Sequence, residues 1–258
     1  MEGAMDSDII FETIHLRKEF GALVAVDDVS IKVRKNSLHA IIGPNGAGKT
    51  TFFNLLSGNI EPTAGRVIYK GKDITRLPLH RSAHIGIGRS FQITNLFPNL
   101  TVLENVRLAC QALGKDNFRF FRPAGHFKRY EERAWAILQQ VGLAQRALQP
   151  ARTLPHGDQR KLELGIILAS DPELLLLDEP TAGMAAEQVP ELMALIKQLH
   201  GAGDKTVILV EHNMNVVMSI SDRISVMHQG QVLAEGTPAE IAANQTVQTA
   251  YLGGLYEL

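Results

Sequence analysis

One segment constrains the fold of this chain more than any other, and it reads Gly43-Pro44-Asn45-Gly46-Ala47-Gly48-Lys49-Thr50-Thr51. An apolar run precedes it and predicts a buried strand, Leu38 to Ile42. A helix with an apolar face follows from about Phe52 to Leu56 and stops at Gly58 and Asn59. A strand, a glycine-rich loop and a helix in this order are the context that a phosphate-binding loop needs.

The residue types of this segment suit a nucleoside triphosphate. Glycines let the backbone turn tightly and point its N–H groups at phosphate oxygens, and the following helix adds the positive end of its dipole. Lys49 supplies a mobile charge for the outer phosphates, and the Thr50 hydroxyl is a suitable Mg²⁺ ligand. A chance match of the four fixed positions is expected roughly once in a hundred chains of this length. The segment therefore predicts a site for a nucleoside triphosphate with magnesium.

Composition narrows the class of protein. The chain has 258 residues, a net charge of −1 and a pI near 6.8, which disfavours nucleic-acid binding because that usually requires a basic face. Its single cysteine, Cys110, excludes an internal disulfide. No apolar run approaches the length of a membrane span, and the acidic start lacks the layout of a signal peptide. We expect a soluble, cytoplasmic protein that a partner holds at any membrane where it works.

Two acidic residues follow a second predicted strand. Leu174 to Leu177 is an unbroken apolar run, typical of a strand buried on both faces, and Asp178 and Glu179 come directly after it. Ligands bind at the carboxyl ends of parallel strands. We interpret Asp178 as holding magnesium through water and Glu179 as the base for the attacking water, a role worth about 10² to 10⁴ in rate. The alternative is that the two acids only cap the next helix.

Two further residues are candidates for the same edge of the sheet. Gln92 follows an extended segment predicted from Ile85 to Phe91, and it is either a surface residue or one that reaches Mg²⁺ or the attacking water. His212 follows a strand predicted from Thr206 to Val210. A lone histidine there is more often structural, but its place at the edge that holds Asp178 favours a contact with the γ-phosphate.

The N-terminal part predicts an antiparallel pair of strands. Ile10 to Phe20 and Leu23 to Val33 are joined through Gly21, with alternation that suggests a sheet packed on one side. Phe20 lies just before the turn. Two interpretations of its ring remain open, packing at the sheet edge or stacking on adenine.

The middle of the chain predicts helices around an unusual insertion. Thr101 and Glu104 indicate a capping box for a helix that extends to Leu113. Between Lys115 and Arg133 six basic residues stand against three acidic ones, interleaved with aromatic residues. Such a segment binds single-stranded nucleic acid or anionic lipid, or it is a solvated surface insertion.

Helices and a hairpin are predicted for the rest of the chain. Predicted helices run from Tyr130 to Val141, from Leu154-Pro155-His156-Gly157-Asp158-Gln159 to Ala169, and from Ala185 to His200. The chain closes with a hairpin around Gly230 and two short helices.

Together these motifs resemble one family. In order and spacing they match the ATP-binding subunits of ABC transporters, over nearly the whole chain, at Gly43 to Thr50, Gln92, Leu154 to Gln159, Leu174 to Glu179 and His212. More narrowly, the chain resembles the ATP-binding subunits of branched-chain amino-acid importers. The resembling segments are 89–92, 96–106, 178–184, 210–214, the basic aromatic insertion and the ending Tyr251-Leu252-Gly253.

The resemblance implies a fold and an activity. The fold is α/β, a P-loop NTPase of the ABC type with a mostly parallel central sheet, an N-terminal antiparallel β part and a helical subdomain. The ATP-binding core comprises 1–91 and 171–258, and the helical subdomain comprises 92–170. The activity is ATP hydrolysis that powers an importer through ATP-driven closure of a dimer.

The resemblance also assigns partners and site residues. ATP held by Gly43 to Thr51 and stacked on Phe20 is covered by the signature segment of a second ATPase subunit, usually a paralogue, so Gly157 joins the cofactor-binding residues. Glu179, His212 and Gln92 are catalytic, and Thr50, Gln92 and Asp178 are metal ligands. Two membrane permeases dock near Gln92, and a periplasmic binding protein delivers substrate. The subunit is then peripheral, at the cytoplasmic face of the cell membrane.

The signature segment departs from the family at Pro155, where a serine is usual. A serine caps the helix and presents its hydroxyl to the γ-phosphate of the partner's ATP, and proline does neither. His156, Asp158 and Met184 also differ from common family patterns. The alternatives are the ATPase of a lipopolysaccharide exporter, a soluble ABC ATPase of repair or translation, and a regulatory subunit with weak turnover.

Overall fold

The structure is a computed structural model, and it describes residues 8–90, 96–112, 128–201 and 204–253. Within these ranges the strands are β1 (Ile9–Phe20), β2 (Leu23–Val29), β3 (Lys32–Arg34), β4 (Leu38–Ile42), β5 (Ala64–Tyr69), β6 (Lys72–Asp73), β7 (Ile87–Arg89), β8 (Leu174–Asp178), β9 (Thr206–Val210), β10 (Arg223–His228) and β11 (Gln231–Gly236). The helices are α1 (Lys49–Leu56), α2 (Leu79–Ser82), α3 (Val102–Ala112), α4 (Lys128–Gln140), α5 (His156–Leu168), α6 (Val189–Gly201), α7 (Met214–Ile220), α8 (Pro238–Ala243) and α9 (Gln245–Gly253).

A central sheet carries the phosphate-binding loop. Its strand order is β11-β10-β4-β9-β8-β7, and every neighbouring pair is parallel except β10 with β11. Successive residues of β8 face two different cores, with Leu174 and Leu176 on one side and Leu175 and Leu177 on the other. The mostly parallel sheet and the strand buried on both faces are confirmed.

A second, antiparallel sheet is formed by the N-terminal strands and β5. Its order is β2-β1-β5-β6, and β3 also pairs with β1. The prediction of one strand from Leu23 to Val33 is wrong, because β2 ends at Val29 and β3 begins at Lys32, with the break at Ser30 and Ile31. The Thr13 hydroxyl stabilises the break, donating to Val29 O at 3.1 Å and accepting from Ile31 N–H at 3.0 Å.

Helices cover both faces of the central sheet. One face packs against α1 and the antiparallel strands, and the other packs against α3 to α6. The capping box of α3 is confirmed, since Glu104 N–H donates to Thr101 Oγ1 at 3.1 Å and Thr101 N–H donates to Glu104 Oε2 at 3.1 Å. Among the described residues, no helix has both the length and the apolarity needed to cross a membrane.

The start of α6 corrects the sequence prediction. A helix was expected from Ala185, but α6 begins at Val189. Pro190 explains the difference, because proline lacks an N–H and is tolerated only in the first turn of a helix. Residues 113–127, which hold most of the basic aromatic insertion, lie outside the described residues.

Candidate nucleotide-binding and catalytic site

The strand register brings three predicted site segments to one edge of the central sheet. Ile41 of β4 and Asp178 of β8 both pair with Val210 of β9. Beyond this row, Glu179 N–H donates to Val210 O at 2.8 Å and Glu211 N–H donates to Ile41 O at 3.3 Å. The segments that follow β4, β8 and β9 therefore leave the sheet side by side, at the carboxyl end where α/β proteins bind ligands.

The phosphate-binding loop is fixed at its ends and open in its middle. Gly48 has a φ of 92°, in the left-handed region that favours glycine, and a Cβ there would lie 2.3 Å from Ala25 O. A Cβ on Gly43 would lie 2.3 Å from Met227 O. By contrast, Gly46 is exposed to solvent. Only glycine fits the two ends, and the middle of the loop is accessible to a ligand.

Lys49 is held inside this loop. Its side chain is buried, and Nζ donates to Gly43 O at 2.7 Å and to Pro44 O at 2.9 Å. Burial lowers the pKa of Lys49, while the negative charges of Glu179 and Asp178 act in the opposite direction. The loop lysine and both predicted acids therefore share one electrostatic site.

The neighbours of Lys49 in the loop differ in exposure. Thr50 and Asn45 are exposed, whereas Thr51 and Pro44 are half-buried and Ala47 is buried. The Thr50 hydroxyl is thus free to meet a ligand at the start of α1. The carboxylate of Asp178 and the hydroxyl of Thr50 are both hard oxygen donors of the kind that Mg²⁺ prefers.

The two acids after β8 have different surroundings. Asp178 is buried, and its N–H donates to Ser90 Oγ at 2.9 Å. The side chain of Glu179 is 40% exposed, and His212 Nδ1 lies 3.9 Å from Glu179 Oε1. Glu179 also has a φ of 45°, a conformation that is uncommon outside glycine and frequent at functional sites. The structure thus brings Glu179 and His212 together, with the glutamate carboxylate open to solvent.

A buried carboxylate that sequence reasoning passed over supports this arrangement. Glu211 is fully buried, and its Oε1 accepts hydrogen bonds from Thr181 N–H at 3.1 Å and Thr181 Oγ1 at 2.6 Å. Its Oε2 accepts from His212 N–H at 3.2 Å. Glu211 therefore ties the segment after Glu179 to the segment that carries His212. The signal in the sequence is an acid placed directly after a fully apolar strand.

Two other predicted residues lie at the margins of the site. The Phe20 ring is 50% exposed, with Lys18 Nζ 5.1 Å from its centroid, so packing at the sheet edge does not bury it. It ends β1, and the paired β2 carries the Ala25 carbonyl that abuts Gly48. Gln92 lies outside the described residues.

The start of α5 is built differently from the phosphate-binding loop. Pro155 is its N-cap, exposed and without a side-chain hydrogen bond to the helix. Gly157 is buried, and a Cβ there would lie 3.0 Å from Gln188 Oε1. Asp158 forms ion pairs with Arg146, whose Nε lies 3.1 Å from Asp158 Oδ2, and with Lys161, whose Nζ lies 3.3 Å from Asp158 Oδ1. This turn therefore packs against the segment before α6. The negative charge of Asp158 is neutralised by its ion pairs.

Solved structures with the same architecture contain this kind of site. A nucleotide-free ATP-binding cassette of an ABC transporter aligns with a TM-score of 0.80 and 29% identity, covering 94% of this chain and 98% of that chain. An ATP-binding cassette in its ADP conformation aligns with a TM-score of 0.82 and 29% identity, covering 95% and 99%. A sequence model described as ABC transporter matches residues 26–182. The chain belongs to the ABC transporter family, and it is an ATP-binding subunit that hydrolyses ATP.

Curated relatives narrow the comparison. The chain is 42% identical over 243 residues to the high-affinity branched-chain amino acid transport ATP-binding protein LivG of Salmonella typhimurium, covering 92% of this chain and 95% of LivG. It is 42% identical over 251 residues to BraF of Pseudomonas aeruginosa, a protein of the same description, covering 95% and 98%. A second sequence model, described as Branched-chain amino acid ATP-binding cassette transporter, matches residues 231–256.

Proposed function

We propose that this chain powers an importer of branched-chain amino acids. The observation that carries the proposal is the shared edge of β4, β9 and β8, where a phosphate-binding loop, two acids and His212 meet in a chain 42% identical to LivG and BraF. The relatives do not favour the lipopolysaccharide exporter alternative.

Each candidate residue has a proposed role, and for those among the described residues the environment supports it. Lys49 and the loop N–H groups bind the outer phosphates. Thr50 and Asp178, with Gln92, hold Mg²⁺, which neutralises phosphate charge when bound. Glu179 orients and deprotonates the attacking water, because its carboxylate is half-exposed beside buried, positively charged Lys49. His212 contacts the γ-phosphate, and Glu211 positions it.

The site requires a second subunit. Gly157 rests against Gln188 at the start of α5, and the exposed Pro155 and His156 beside it form a surface that faces solvent within one chain. We propose that this surface covers the ATP bound by a partner ATPase subunit, usually a paralogue. In return, the signature segment of the partner covers the ATP bound by this chain, whose adenine stacks on Phe20. Closure of the pair by ATP then drives transport.

An apolar groove supports the attachment to permeases. It has a volume of about 440 Å³ between α2, β7, α3 and α5, and its apolar lining includes Leu79, Ile87, Ala109, Ala112, Ile166 and Ile167. Arg89, three residues before Gln92, also borders it. We assign this docking groove to a helix of one membrane permease, and a second permease docks on the partner ATPase in the same way. A periplasmic binding protein delivers substrate to the two permeases. The subunit is then peripheral, at the cytoplasmic face of the cell membrane.

The division of the chain follows from the same assignment. We propose an ATP-binding core of 1–91 and 171–258 and a helical subdomain of 92–170 that carries the signature segment. Three helices of that subdomain, α3, α4 and α5, contribute to one apolar cluster that also packs on the central sheet.

Purification from native membranes tests this function. Permeases and a binding protein that recognises leucine, isoleucine or valine are expected to accompany the tagged chain. ATP hydrolysis by the reconstituted assembly should rise when the binding protein carries its amino acid. Recovery with exporter components, or stimulation by a lipid-linked saccharide and not by an amino acid, would contradict the proposal.

A further inference from the structure

Three arginines line one polar pocket that the nucleotide site does not use. Arg66 comes from β5, Arg76 from the segment after β6 and Arg81 from α2, and all three are exposed. The pocket has a volume of about 640 Å³. We refer to it as the arginine pocket.

The guanidinium groups of the arginine pocket lack partners within the described part of the chain. Elsewhere Arg17, Arg146, Arg160 and Arg223 form ion pairs with carboxylates, but none is formed by Arg66, Arg76 or Arg81. Since an unpaired guanidinium presents up to five donors in a planar fork, the pocket offers many directed donors to an anion.

Two carboxylates also border the pocket, and one of them is already engaged. Asp73 Oδ1 accepts from Thr75 Oγ1 at 2.6 Å and from Thr75 N–H at 2.9 Å, and these hydrogen bonds lower the pKa of Asp73. The charges of Arg66 and Arg76 lower the pKa of Asp73 further. With Glu61 as the other acid, the five charged side chains leave the pocket positive.

The arginine pocket lies beside the docking groove. Arg81 of α2 lines the pocket, whereas Leu79 and Ser82 of the same short helix line the groove. A helix with its side chains is about 10 Å across. A permease helix seated in the groove therefore brings the membrane side of the assembly close to the three arginines.

We propose that the arginine pocket binds a phosphate group, supplied by an anionic phospholipid at the membrane face. Guanidinium groups pair with phosphate oxygens through two parallel hydrogen bonds, and three arginines line this pocket. We infer phosphate binding from the residues of the pocket alone. The inference that a lipid supplies the phosphate rests on the proposed attachment to permeases. The chemistry is separate from hydrolysis, because the pocket shares no residue with the loop Gly43 to Thr51 or with Glu179 and His212.

Vesicle binding tests the lipid source. The purified chain, saturated with ADP, is sedimented with vesicles of phosphatidylcholine alone or mixed with phosphatidylglycerol. Since each basic side chain at an anionic surface contributes roughly fivefold in affinity, the variant Arg66→Gln/Arg76→Gln/Arg81→Gln should bind the mixed vesicles roughly a hundredfold more weakly. The control Lys35→Gln/Arg152→Gln/Lys197→Gln removes the same charge from exposed positions outside the pocket. It should bind like the parent.

A second arm separates lipid from free phosphate. Inorganic phosphate is titrated into the same ADP-saturated protein while the side-chain N–H resonances of the three arginines are followed. Saturable shifts of all three without a vesicle difference would support the pocket and assign free phosphate as its ligand. Vesicle binding that is the same in the two triple variants, together with no saturable shift of the three arginine resonances, would overturn the proposal. Neither arm contains permeases, so such a result leaves the proposed transport function untouched.

Discussion

Two helix starts in this chain are suited to phosphate, and they are built on different principles. α1 begins after Gly48, whose backbone touches Ala25 so closely that a Cβ would lie 2.3 Å from its carbonyl oxygen. α5 begins after Pro155, which is exposed and caps nothing with its side chain. We call the first start the clamp, because it is fixed by backbone contacts and we propose that it holds phosphate. The second start is an open surface.

The difference teaches where substitutions are tolerated. The clamp depends on backbone contacts and on a buried lysine, so an atom added at Gly43 or Gly48 disturbs it. In our proposal the α5 surface acts on the ATP of a partner, through the N–H groups of the helix start, and these remain when the capping hydroxyl is lost. We therefore expect changes at α1 to abolish binding, and changes at α5 to adjust the rate of closure.

The largest effect is expected from Lys49→Ala. Hydrogen bonds to charged groups contribute about 1.5 to 3 kcal/mol each, so losing the lysine contacts to the outer phosphates should weaken ATP binding by roughly a hundredfold or more. Calorimetric titration measures this, with Lys35→Ala as a surface control. Parent-like affinity in Lys49→Ala would remove the lysine from the clamp.

A matched glycine pair tests the backbone part of the comparison. Gly48→Ala adds a Cβ against a backbone oxygen in a left-handed conformation that alone costs about 1 to 2 kcal/mol. Gly157→Ala adds one against the end of the Gln188 side chain, which can move, within a helix where alanine is favoured by about 1 kcal/mol. Thermal unfolding should show a large loss for Gly48→Ala and little change for Gly157→Ala. Equal losses would contradict the distinction.

The strand that leads into the clamp, β4, contains a buried histidine that should make the folded state less stable at low pH. Burial lowers the pKa of His39 in β4 to about 4. The negative charge of Glu235 raises this pKa, and the positive charge of Arg223 lowers it. In the unfolded chain the imidazole of His39 has its ordinary pKa of about 6.5. Below that pH the unfolded state binds a proton that the folded state does not. Stability should therefore fall as pH drops from about 6.5 to 4, by up to about 3 kcal/mol.

Variants isolate the His39 contribution. Chemical denaturation across this pH range should show a smaller loss for His39→Gln than for the parent. His80→Gln, at an exposed position, should leave the pH dependence unchanged. An unchanged profile in His39→Gln would assign the pH dependence to other groups.

The smallest effect is expected at the α5 surface. Pro155→Ser restores a side-chain cap worth about 1 kcal/mol and a hydroxyl for the partner's γ-phosphate. ATPase activity of the assembled transporter should rise several-fold, with little change in thermal stability. Hydrolysis no faster than the parent, measured with the true partner and permeases, would show that Pro155 does not limit closure.

The sequence predicted elements best where one local signal decides the structure. The apolar runs of β8 and β9, the capping box of Thr101 and Glu104, and the loop before α1 are confirmed because each follows from neighbouring residues. The break between β2 and β3 depends on Thr13, which is distant in sequence and bonds both sides of the break. Alternation of apolar residues carries no information on such a contact.

The candidate site likewise combines features set by neighbouring residues with features set by contacts between distant parts of the chain. The order of the strands was needed to place Asp178, Val210 and Ile41 in one row, and it is set by long-range pairing. Glu211 was passed over because an acid after a strand looks like its exposed neighbours, yet its partner Thr181 lies thirty residues earlier and buries it. The roles of all the candidate site residues remain predictions, and those of Gln92, Gly157 and Phe20 have the least support from the geometry.

The most direct test of the account is Glu179→Gln, with Glu187→Gln as a control in the same loop. The change removes the base and keeps the shape of the side chain, and it leaves Lys49 in place. We predict parent-like ATP affinity, a dimer stabilised by ATP, and hydrolysis slower by roughly 10² to 10⁴. Calorimetric titration measures the affinity, light scattering measures the dimer, and a single-turnover assay measures the hydrolysis. Hydrolysis at the parent rate in Glu179→Gln would contradict the assignment of the edge of β8 as the catalytic site.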